Sequence, residues 1–337
     1  MPTSEQDFLA VIDRHFPNRG GHVLLGRGDD CAIFDLEGHD RPGKAGGTLC
    51  VSTDLFVEDV HFRRAYFTPA DIGHKALAAA ASDLAGMAAE PLGFALSLVL
   101  PGDLADDFLD QMLAAMAELS GRLGLPLVGG DLSRGPVLAL DMVVFGRPDP
   151  TGRLLRRGQA KPGDALLLAG DIGLARAGLA ELECRGLCEP GQWPAALAAH
   201  LRPEPRLAEG LALARIETPD GPAISGLMDV SDGLARDLPR FLGPFGADLS
   251  LGPDDLHPEV AAYFSSLGED PVEAAILGGE DYALLACAEQ KRLPMVLAVL
   301  PQVRVIGQVS AAPGVRLNSG AVLRQGFDHF AKPGTEG

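Results

Sequence analysis

The stretch KALAAAASDLA, Lys75–Ala85, is the part of the sequence that says most about the fold. Proline at position 69 opens a segment that extends to 87, and the whole segment is predicted to form one helix because alanine and leucine favour helices. Apolar residues occur on almost every side of this helix. We therefore expect it to be buried between other elements.

Strands and helices are predicted on both sides of this helix. Strand-like segments lie at 47–52, 93–100 and 137–145, and helical segments lie at 5–15 and 105–123. A stretch rich in turn formers follows at 147–152, and a second α/β unit begins with a strand at 165–169. The length of 337 residues suits two domains. The sequence thus predicts an α/β (α+β) protein with domains 1–148 and 149–337.

The composition excludes several classes of partner. The formal net charge of −18 argues against a nucleic-acid partner, because that binding depends on Lys and Arg. No segment is apolar and uncharged for long enough to cross a bilayer, so no membrane partner is expected. The acidic N-terminus lacks the features of a secretory signal, which predicts a cytoplasmic protein. The five cysteines show neither a disulfide pattern nor the spacing of a zinc site.

Aspartates recur beside glycines, serines and strand-like segments. Most of them are expected at strand ends or Gly-rich turns, where loops converge and ligands bind in α/β folds. Singly, each is explained better as a cap or turn residue than as a functional group. Together they could hold several Mg²⁺ ions that bridge a polyphosphate, since Mg²⁺ prefers oxygen ligands. The six are Asp30, Asp54, Asp83, Asp131, Asp229 and Asp232.

Asp83 is the aspartate that most needs a partner, because it lies within the apolar helix. A buried carboxylate is costly without a cation or hydrogen-bond donors. One partner would be a metal ion, and the other would be Lys75, two turns earlier on roughly the same face. The residues alone leave both alternatives open.

The ordered set of motifs resembles the thiamine-monophosphate kinase family, which is similar in fold to aminoimidazole ribonucleotide synthetase. The resemblance runs from about residue 7 to 330. The motifs are GDD at 28–30, STD at 52–54, VEDVHF at 57–62, KAL at 75–77, SDLA at 82–85, GGD at 129–131, MDVSDGL at 228–234 and GGEDY at 278–282.

The resemblance implies both a fold and a reaction. The fold has an N-terminal domain that binds ATP and Mg²⁺ and whose mixed sheet pairs with its twin in a homodimer, followed by a C-terminal α/β domain. The reaction transfers the γ-phosphoryl group of ATP to thiamine monophosphate and gives thiamine diphosphate. Direct in-line attack is expected, with no phosphoenzyme and no covalent nucleophile.

The resemblance also assigns roles to individual residues. Residues expected to hold Mg²⁺ are Asp30, Ser52, Thr53, Asp54, Asp83, Asp131, Asp229 and Asp232. Residues expected at ATP are Gly130, Asp131, Arg157 and Ser231. Residues expected at thiamine monophosphate are His61, Glu280 and Phe327, the last by stacking on the rings.

Two of these assignments stay open, and so does the exact activity. The segment RRGQA at 156–160 departs from the Arg-Ser-Gly-Ala of the family, so Arg156 competes with Arg157. Asp29 competes with Asp30 in the same way. The alternative activities are another ATP-dependent synthetase of the superfamily, of the aminoimidazole ribonucleotide or selenophosphate type, and a non-catalytic acidic metal-binding protein.

Overall fold

A computed structural model describes residues 5–16, 22–36, 47–150, 153–185 and 192–317. Six strands of the first half form one sheet, in the order β1-β2-β3-β6-β4-β5. Neighbours in this sheet run antiparallel except β4 and β5, which are parallel. The strands are β1 Val23–Leu25, β2 Ala32–Asp35, β3 Thr48–Val57, β4 Glu90–Leu100, β5 Leu127–Arg134 and β6 Ala139–Arg147.

A second six-stranded sheet follows, in the order β10-β12-β7-β13-β11-β14, and a short hairpin of β8 and β9 lies apart from it. Among the described strands of this sheet, only β11 and β14 pair in parallel. The strands are β7 Ala165–Ala169, β8 Glu217–Thr218, β9 Gly221–Pro222, β10 Ile224–Val230, β11 Gly246–Leu249, β12 Ala283–Ala288, β13 Arg304–Ser310 and β14 Gly314–Leu317.

Helices lie before, between and after the strands of both sheets. Of the helices in the described ranges, three belong to the first half of the chain and the others to the second, where short 3₁₀ turns also occur at Pro253–Asp255 and Gln290–Arg292. The helices are α1 Glu5–His15, α2 Pro69–Gly86, α3 Phe108–Leu123, α4 Leu174–Arg185, α5 Pro194–Leu201, α6 Leu207–Ala214, α7 Leu234–Leu242, α8 Pro258–Ser266, α9 Pro271–Leu277 and α10 Leu293–Val299.

Helix α2 starts at a capping box. The Asp71 backbone N–H donates to Thr68 Oγ1, and the Thr68 backbone N–H donates to the Asp71 carboxylate. Pro69 occupies the first turn, where a missing N–H costs no hydrogen bond. From this start, nearly every residue of α2 is buried. The predicted buried helix at 69–87 is confirmed.

Helix α2 joins the two halves of the molecule. It contacts α3, β3 and β6 of the first half, and α6, β10 and β12 of the second. Small side chains permit this close packing: a Cβ added at Gly210 of α6 would lie 2.4 Å from the carbonyl oxygen of Ala85. The alanines of α2 are therefore required by contacts on both sides, not only by helix propensity.

Several boundaries differ from those expected. Ser52, Thr53 and Asp54 lie within β3, not at a strand end, because the strand continues to Val57 and pairs with β6 along that length. Asp131 likewise lies inside β5, which extends through the glycines expected to form a turn. The predicted domain boundary at 148 falls between β6 and β7 and stays a prediction. In the portion of the chain with described coordinates, no helix has the length and apolar character that crossing a membrane requires.

We expect Gly73→Ala to destabilise the protein by about 1–3 kcal/mol. A Cβ at this position of α2 would lie 2.0 Å from the carbonyl oxygen of Met112 in α3, so the two helices would have to separate. Urea unfolding would measure the change in the free energy of unfolding.

The matched control is Gly121→Ala in α3, where an added Cβ meets no atom within 4 Å. This substitution is expected to stabilise the helix by about 0.5–1 kcal/mol, since alanine loses less backbone entropy than glycine. Equal effects of the two substitutions would show that the α2–α3 contact is not as close as described.

Candidate active site

Two aspartates from opposite halves of the chain meet beside the last turn of α2. Asp30 lies two residues before β2, Asp229 lies in β10, and the Asp229 backbone N–H donates to Asp30 Oδ2 over 3.4 Å. Gly86 makes this possible, because a Cβ there would lie 2.2 Å from Asp30 Oδ2. Ser82 Oγ of α2 donates to Asp229 Oδ2 over 2.7 Å. Helix α2 thus brings both carboxylates to one place.

Asp83 and Asp54 extend this group of acids towards the first sheet. Ser52 Oγ of β3 donates to Asp83 Oδ2 over 2.5 Å and ties the strand to the helix. Asp54 lies two residues after Ser52 and so shares its face of β3. Asp30, Asp54, Asp83 and Asp229 are called the inner acidic cluster below.

The inner acidic cluster concentrates negative charge in a buried place. Burial, then the charge of Asp229, raises the pKa of Asp30 and of Asp83 well above the ordinary value. Burial and neighbouring carboxylates likewise raise the pKa of Asp54 to about 6, and burial raises the pKa of Asp229 to about 6. Each shift reflects carboxylates that lack enough positive charge nearby. The site is therefore electrostatically suited to a cation.

Arg157 supplies positive charge at one side of the cluster. Its Nη2 donates to Asp30 Oδ1 over 2.8 Å, and its Nε donates to Asp29 Oδ1 over 3.3 Å. The neighbouring Arg156 is exposed. The geometry thus places Arg157 at the acids, and both Asp29 and Asp30 are bound to it. Its contact with a nucleotide stays a prediction.

The donors of the inner acidic cluster fit Mg²⁺. They are carboxylate and hydroxyl oxygens, which Mg²⁺ prefers, and their raised pKa values record unmatched negative charge. Among the described residues, no three carboxylates, histidines or cysteines already form an arrangement that could hold a metal ion alone. Mg²⁺ usually takes one or two carboxylates and completes its shell with water and substrate phosphates. The residues therefore suit ions that bind together with a polyphosphate.

Asp232 lies beyond the cluster and is already paired. Its Oδ2 accepts a hydrogen bond from Arg240 over 2.8 Å and lies 3.5 Å from Arg236 Nε. Its backbone N–H donates to Asp237, a fully buried acid that the sequence analysis did not single out. Ser231 is half-buried beside it. To bind a metal ion, Asp232 would have to give up its contact with an arginine.

Thr53, Gly130 and Asp131 are not brought together with the inner acidic cluster. Thr53 precedes Asp54 in β3 and so points to the opposite face of the sheet, where its hydroxyl donates to Asp141. Asp131 pairs with Ser97, which in turn pairs with Asp141, so these side chains share that outer face. Gly130 lies beside Asp131 on the exposed edge strand β5. Within one chain, the predicted metal ligands are thus divided among the inner acidic cluster with Ser52, the outer face of the first sheet, and Asp232.

Glu280 lies in a strained turn fixed to the end of β10. Its φ is +65°, a left-handed value that is rare outside glycine. Its backbone N–H donates to the Ser231 carbonyl over 2.7 Å, and its carboxylate forms an ion pair with Lys75 over 3.0 Å. Burial alone would raise the pKa of Glu280, but Lys75 and His200 lower it to about 2. Lys75 therefore pairs with Glu280, and the alternative pairing with Asp83 is wrong.

His61 and Phe327 complete the predicted substrate residues. The Val57 backbone N–H donates to His61 Nδ1 over 3.0 Å, so the neutral ring carries its proton on Nε2. Phe327 lies outside the described residues. His200 Nδ1 lies 3.3 Å from Glu280 Oε2. No sequence motif indicates His200, because a lone histidine in an apolar helix has no distinguishing pattern.

Two domain families match most of the chain. The family described as AIR synthase related protein, N-terminal domain, matches residues 28–147. The corresponding C-terminal domain family matches residues 161–319. These matches, with the two sheets described above, confirm the expected two-domain fold.

Full-length relatives narrow this assignment. Thiamine-monophosphate kinase of Synechococcus elongatus is 37% identical over 90% of this chain and 91% of its own length. The enzyme of the same name from Mycobacterium tuberculosis strain CDC 1551 / Oshkosh is 32% identical over 100% of this chain and 96% of its own. The chain belongs to the thiamine-monophosphate kinase family.

A solved member of the thiamine-monophosphate kinase family shares the fold over almost the whole chain. The structure of AaThiL complexed with AMPPCP and TMP superimposes with a TM-score of 0.80 at 25% identity, and it covers 97% of each chain. The family resemblance that the motifs indicated is therefore confirmed.

We expect Asp83→Asn to stabilise the protein without metal and to abolish its activity. Removing one charge from the inner acidic cluster relieves repulsion, and we expect a gain of about 1 kcal/mol or more in EDTA. Phosphoryl transfer should fall by at least about 100-fold if the carboxylate acts at the transition state.

The control is Asp103→Asn, at an exposed ion pair with Arg64. Exposed pairs contribute little, so both stability and turnover should stay close to those of the unchanged protein. Unchanged turnover in Asp83→Asn would remove Asp83 from the set of metal ligands.

Proposed function

We propose that this chain transfers the γ-phosphoryl group of ATP to thiamine monophosphate and forms thiamine diphosphate in a Mg²⁺-dependent reaction. The observation that carries this proposal is the inner acidic cluster, buried where the two halves meet, in a chain of which two thiamine-monophosphate kinase relatives cover 90% and 100%. The AaThiL complex with AMPPCP and TMP supports the same pair of substrates.

The chemistry needs positioning and charge neutralisation more than proton transfer. The phosphate of thiamine monophosphate is already an anion at neutral pH, so it can attack in line without a strong general base. The proposed mechanism therefore needs no covalent intermediate on the protein. What remains is to hold two anionic groups close together, and this requires cationic partners and fixed donors.

The metal-binding residues proposed here come from both faces of the first sheet and from the second half of the chain. Bound Mg²⁺ would neutralise the phosphates and polarise the transferred group. In the protein, Ser52 and Ser82 orient two of the carboxylates through the hydrogen bonds described above. The proposed ligands are Asp30, Ser52, Thr53, Asp54, Asp83, Asp131, Asp229 and Asp232.

The remaining proposed contacts are with the two substrates. Gly130, Asp131, Arg157 and Ser231 are proposed at ATP. A Cβ at Gly130 would lie 1.8 Å from the Leu96 carbonyl oxygen, so only glycine lets β5 approach β4 here. At thiamine monophosphate, the proposed residues are Glu280, Phe327 and His61, whose Nε2–H tautomer offers the kind of donor that a phosphate oxygen accepts.

We also propose that the protein is a homodimer formed through its first sheet. Edge strand β5 is exposed along its whole length, and an unpaired edge strand readily pairs with another chain. The outer face of the sheet carries exposed apolar residues such as Leu55. Covering this face would place Asp131 and Thr53 at an interface. The cytoplasmic location stays a prediction from the sequence.

The decisive assay measures thiamine diphosphate formed from thiamine monophosphate and ATP, with free thiamine as the control acceptor. We expect product only with the monophosphate, and at least about 100-fold less product in EDTA, because the acids alone cannot neutralise the phosphates. ATP binding without product would favour a synthetase of the same superfamily. Weak binding of metal without any turnover would favour a non-catalytic metal-binding protein.

We expect Leu55→Glu to convert the dimer into a monomer, because it would bury a charge in the proposed interface. Leu267→Glu is the matched control, since both leucines are 55% exposed and Leu267 lies in the second half of the chain. Sedimentation equilibrium would measure both masses. A monomeric unchanged protein, or a dimer that survives Leu55→Glu, would contradict this interface.

A further inference from the structure

Glu280 is held by two buried side chains from distant parts of the sequence. Lys75 Nζ of α2 lies 3.0 Å from Glu280 Oε2, and the lysine side chain is 0% exposed. His200 Nδ1 of α5 lies 3.3 Å from the same oxygen, and its side chain is 2% exposed. Three segments that are far apart in the chain therefore converge on one oxygen atom.

The buried side chains of Lys75 and His200 have little freedom to move, because both contact the ring of Phe67. Lys75 Nζ lies 5.3 Å from the centre of the Phe67 ring, and this ring makes a T-shaped contact with His200 at a centroid distance of 5.4 Å. Burying a lysine is costly, and its pairing with a carboxylate often only offsets that cost. Such a buried pair therefore fixes the position of a side chain more than it stabilises the protein. Here the side chain that is held in position is Glu280.

The two oxygens of Glu280 are used differently. Both contacts go to Oε2, and within the described residues no hydrogen bond is formed by Oε1. The Glu280 side chain is 29% exposed, so part of it is accessible to solvent although both of its partners are buried. The left-handed backbone at Glu280 and its N–H bond to Ser231 fix the direction of the side chain. Oε1 is therefore the oxygen that can meet a ligand.

The charges decide what kind of ligand it can recognise. Lys75 already balances the carboxylate, and burial and the charge of Lys75 lower the pKa of His200, which keeps the imidazole neutral at pH 7. The group of three thus has no net charge. Its attraction for a cation is weaker than that of an unpaired carboxylate, whereas Oε1 keeps its full capacity to accept a hydrogen bond.

We propose that Lys75 and His200 are positioning residues that anchor Glu280 through Oε2, so that Oε1 accepts a hydrogen bond from the neutral amino group of the substrate's pyrimidine ring. The inference rests on the proposed function, which supplies thiamine monophosphate as the substrate. It differs from recognition of the cationic thiazolium ring by charge. The two modes of recognition make opposite predictions for a modified substrate.

The first experiment compares thiamine monophosphate with oxythiamine monophosphate, in which oxygen replaces the pyrimidine amino group and the thiazolium stays. We expect the unchanged protein to prefer thiamine monophosphate by at least about tenfold in kcat/KM, because Glu280 Oε1 would face an oxygen instead of a hydrogen-bond donor in the modified substrate. Glu280→Gln, which offers both a donor and an acceptor, should reduce the preference to about threefold or less. If Glu280→Gln instead lowered kcat/KM equally for both substrates, Glu280 would recognise the thiazolium cation that they share. That result would overturn the proposal.

The second experiment tests the anchors. We expect His200→Leu to raise KM for thiamine monophosphate by about tenfold, with KM for ATP changed by less than about twofold. His200→Asn retains an N–H donor near the position of Nδ1 and should restore most of the lost affinity. Equal rises in both KM values, or no rescue by asparagine, would show that His200 only supports the fold.

These outcomes are separable from a failure of the proposed function. If the unchanged protein forms no thiamine diphosphate, the proposed function fails. If it does, and His200→Leu leaves KM for thiamine monophosphate unchanged, only the positioning role fails. Circular dichroism of each variant would verify that it is folded.

Discussion

The burial of α2 between the two halves of the chain is the constraint on which the rest of the structure depends. One side of the helix packs on the first sheet and the other on α6 and the second sheet, so small residues are needed at its closest contacts. The few polar residues within it consequently have fixed partners. Ser82 binds Asp229, Asp83 binds Ser52, and Lys75 binds Glu280. One helix thereby aligns groups from across the chain.

This arrangement gathers like charges that would repel each other in the absence of a counter-ion. Burial and mutual repulsion raise the pKa values of the inner acidic cluster, and Arg157 opposes this effect at only one side. A protein selected for stability alone would not retain such a cluster. The same electrostatics that destabilise the protein by itself would favour the binding of divalent cations and a polyphosphate. The repulsion between carboxylates that lowers the stability of the protein is therefore also what favours cation binding.

The negative charge of Glu280, unlike that of the inner acidic cluster, is balanced by a positive charge beside it. Its carboxylate is matched by a buried lysine, so its pKa is lowered where those of the neighbouring aspartates are raised. The aspartates are thus suited to binding cations, whereas Glu280 is suited to accepting a hydrogen bond from a fixed direction. Two kinds of acid with different tasks can lie in one site because their immediate partners differ.

The sequence by itself determined the buried helix, several of the longer strands and the identity of the family. Periodicity and propensity are local properties, and the motifs GDD, STD, SDLA and MDVSDGL are contiguous. Only the tertiary structure decided that Lys75 pairs with Glu280 and not with Asp83, that Arg157 lies at Asp30, and that Thr53 and Asp131 point away from the inner acidic cluster. Strand ends were expected near Asp54 and Asp131, but β3 and β5 continue past these residues. Pairing with neighbouring strands outweighed the local turn signals. Contacts between residues more than a hundred positions apart leave no trace in local spacing, and they determine which polar groups face one another.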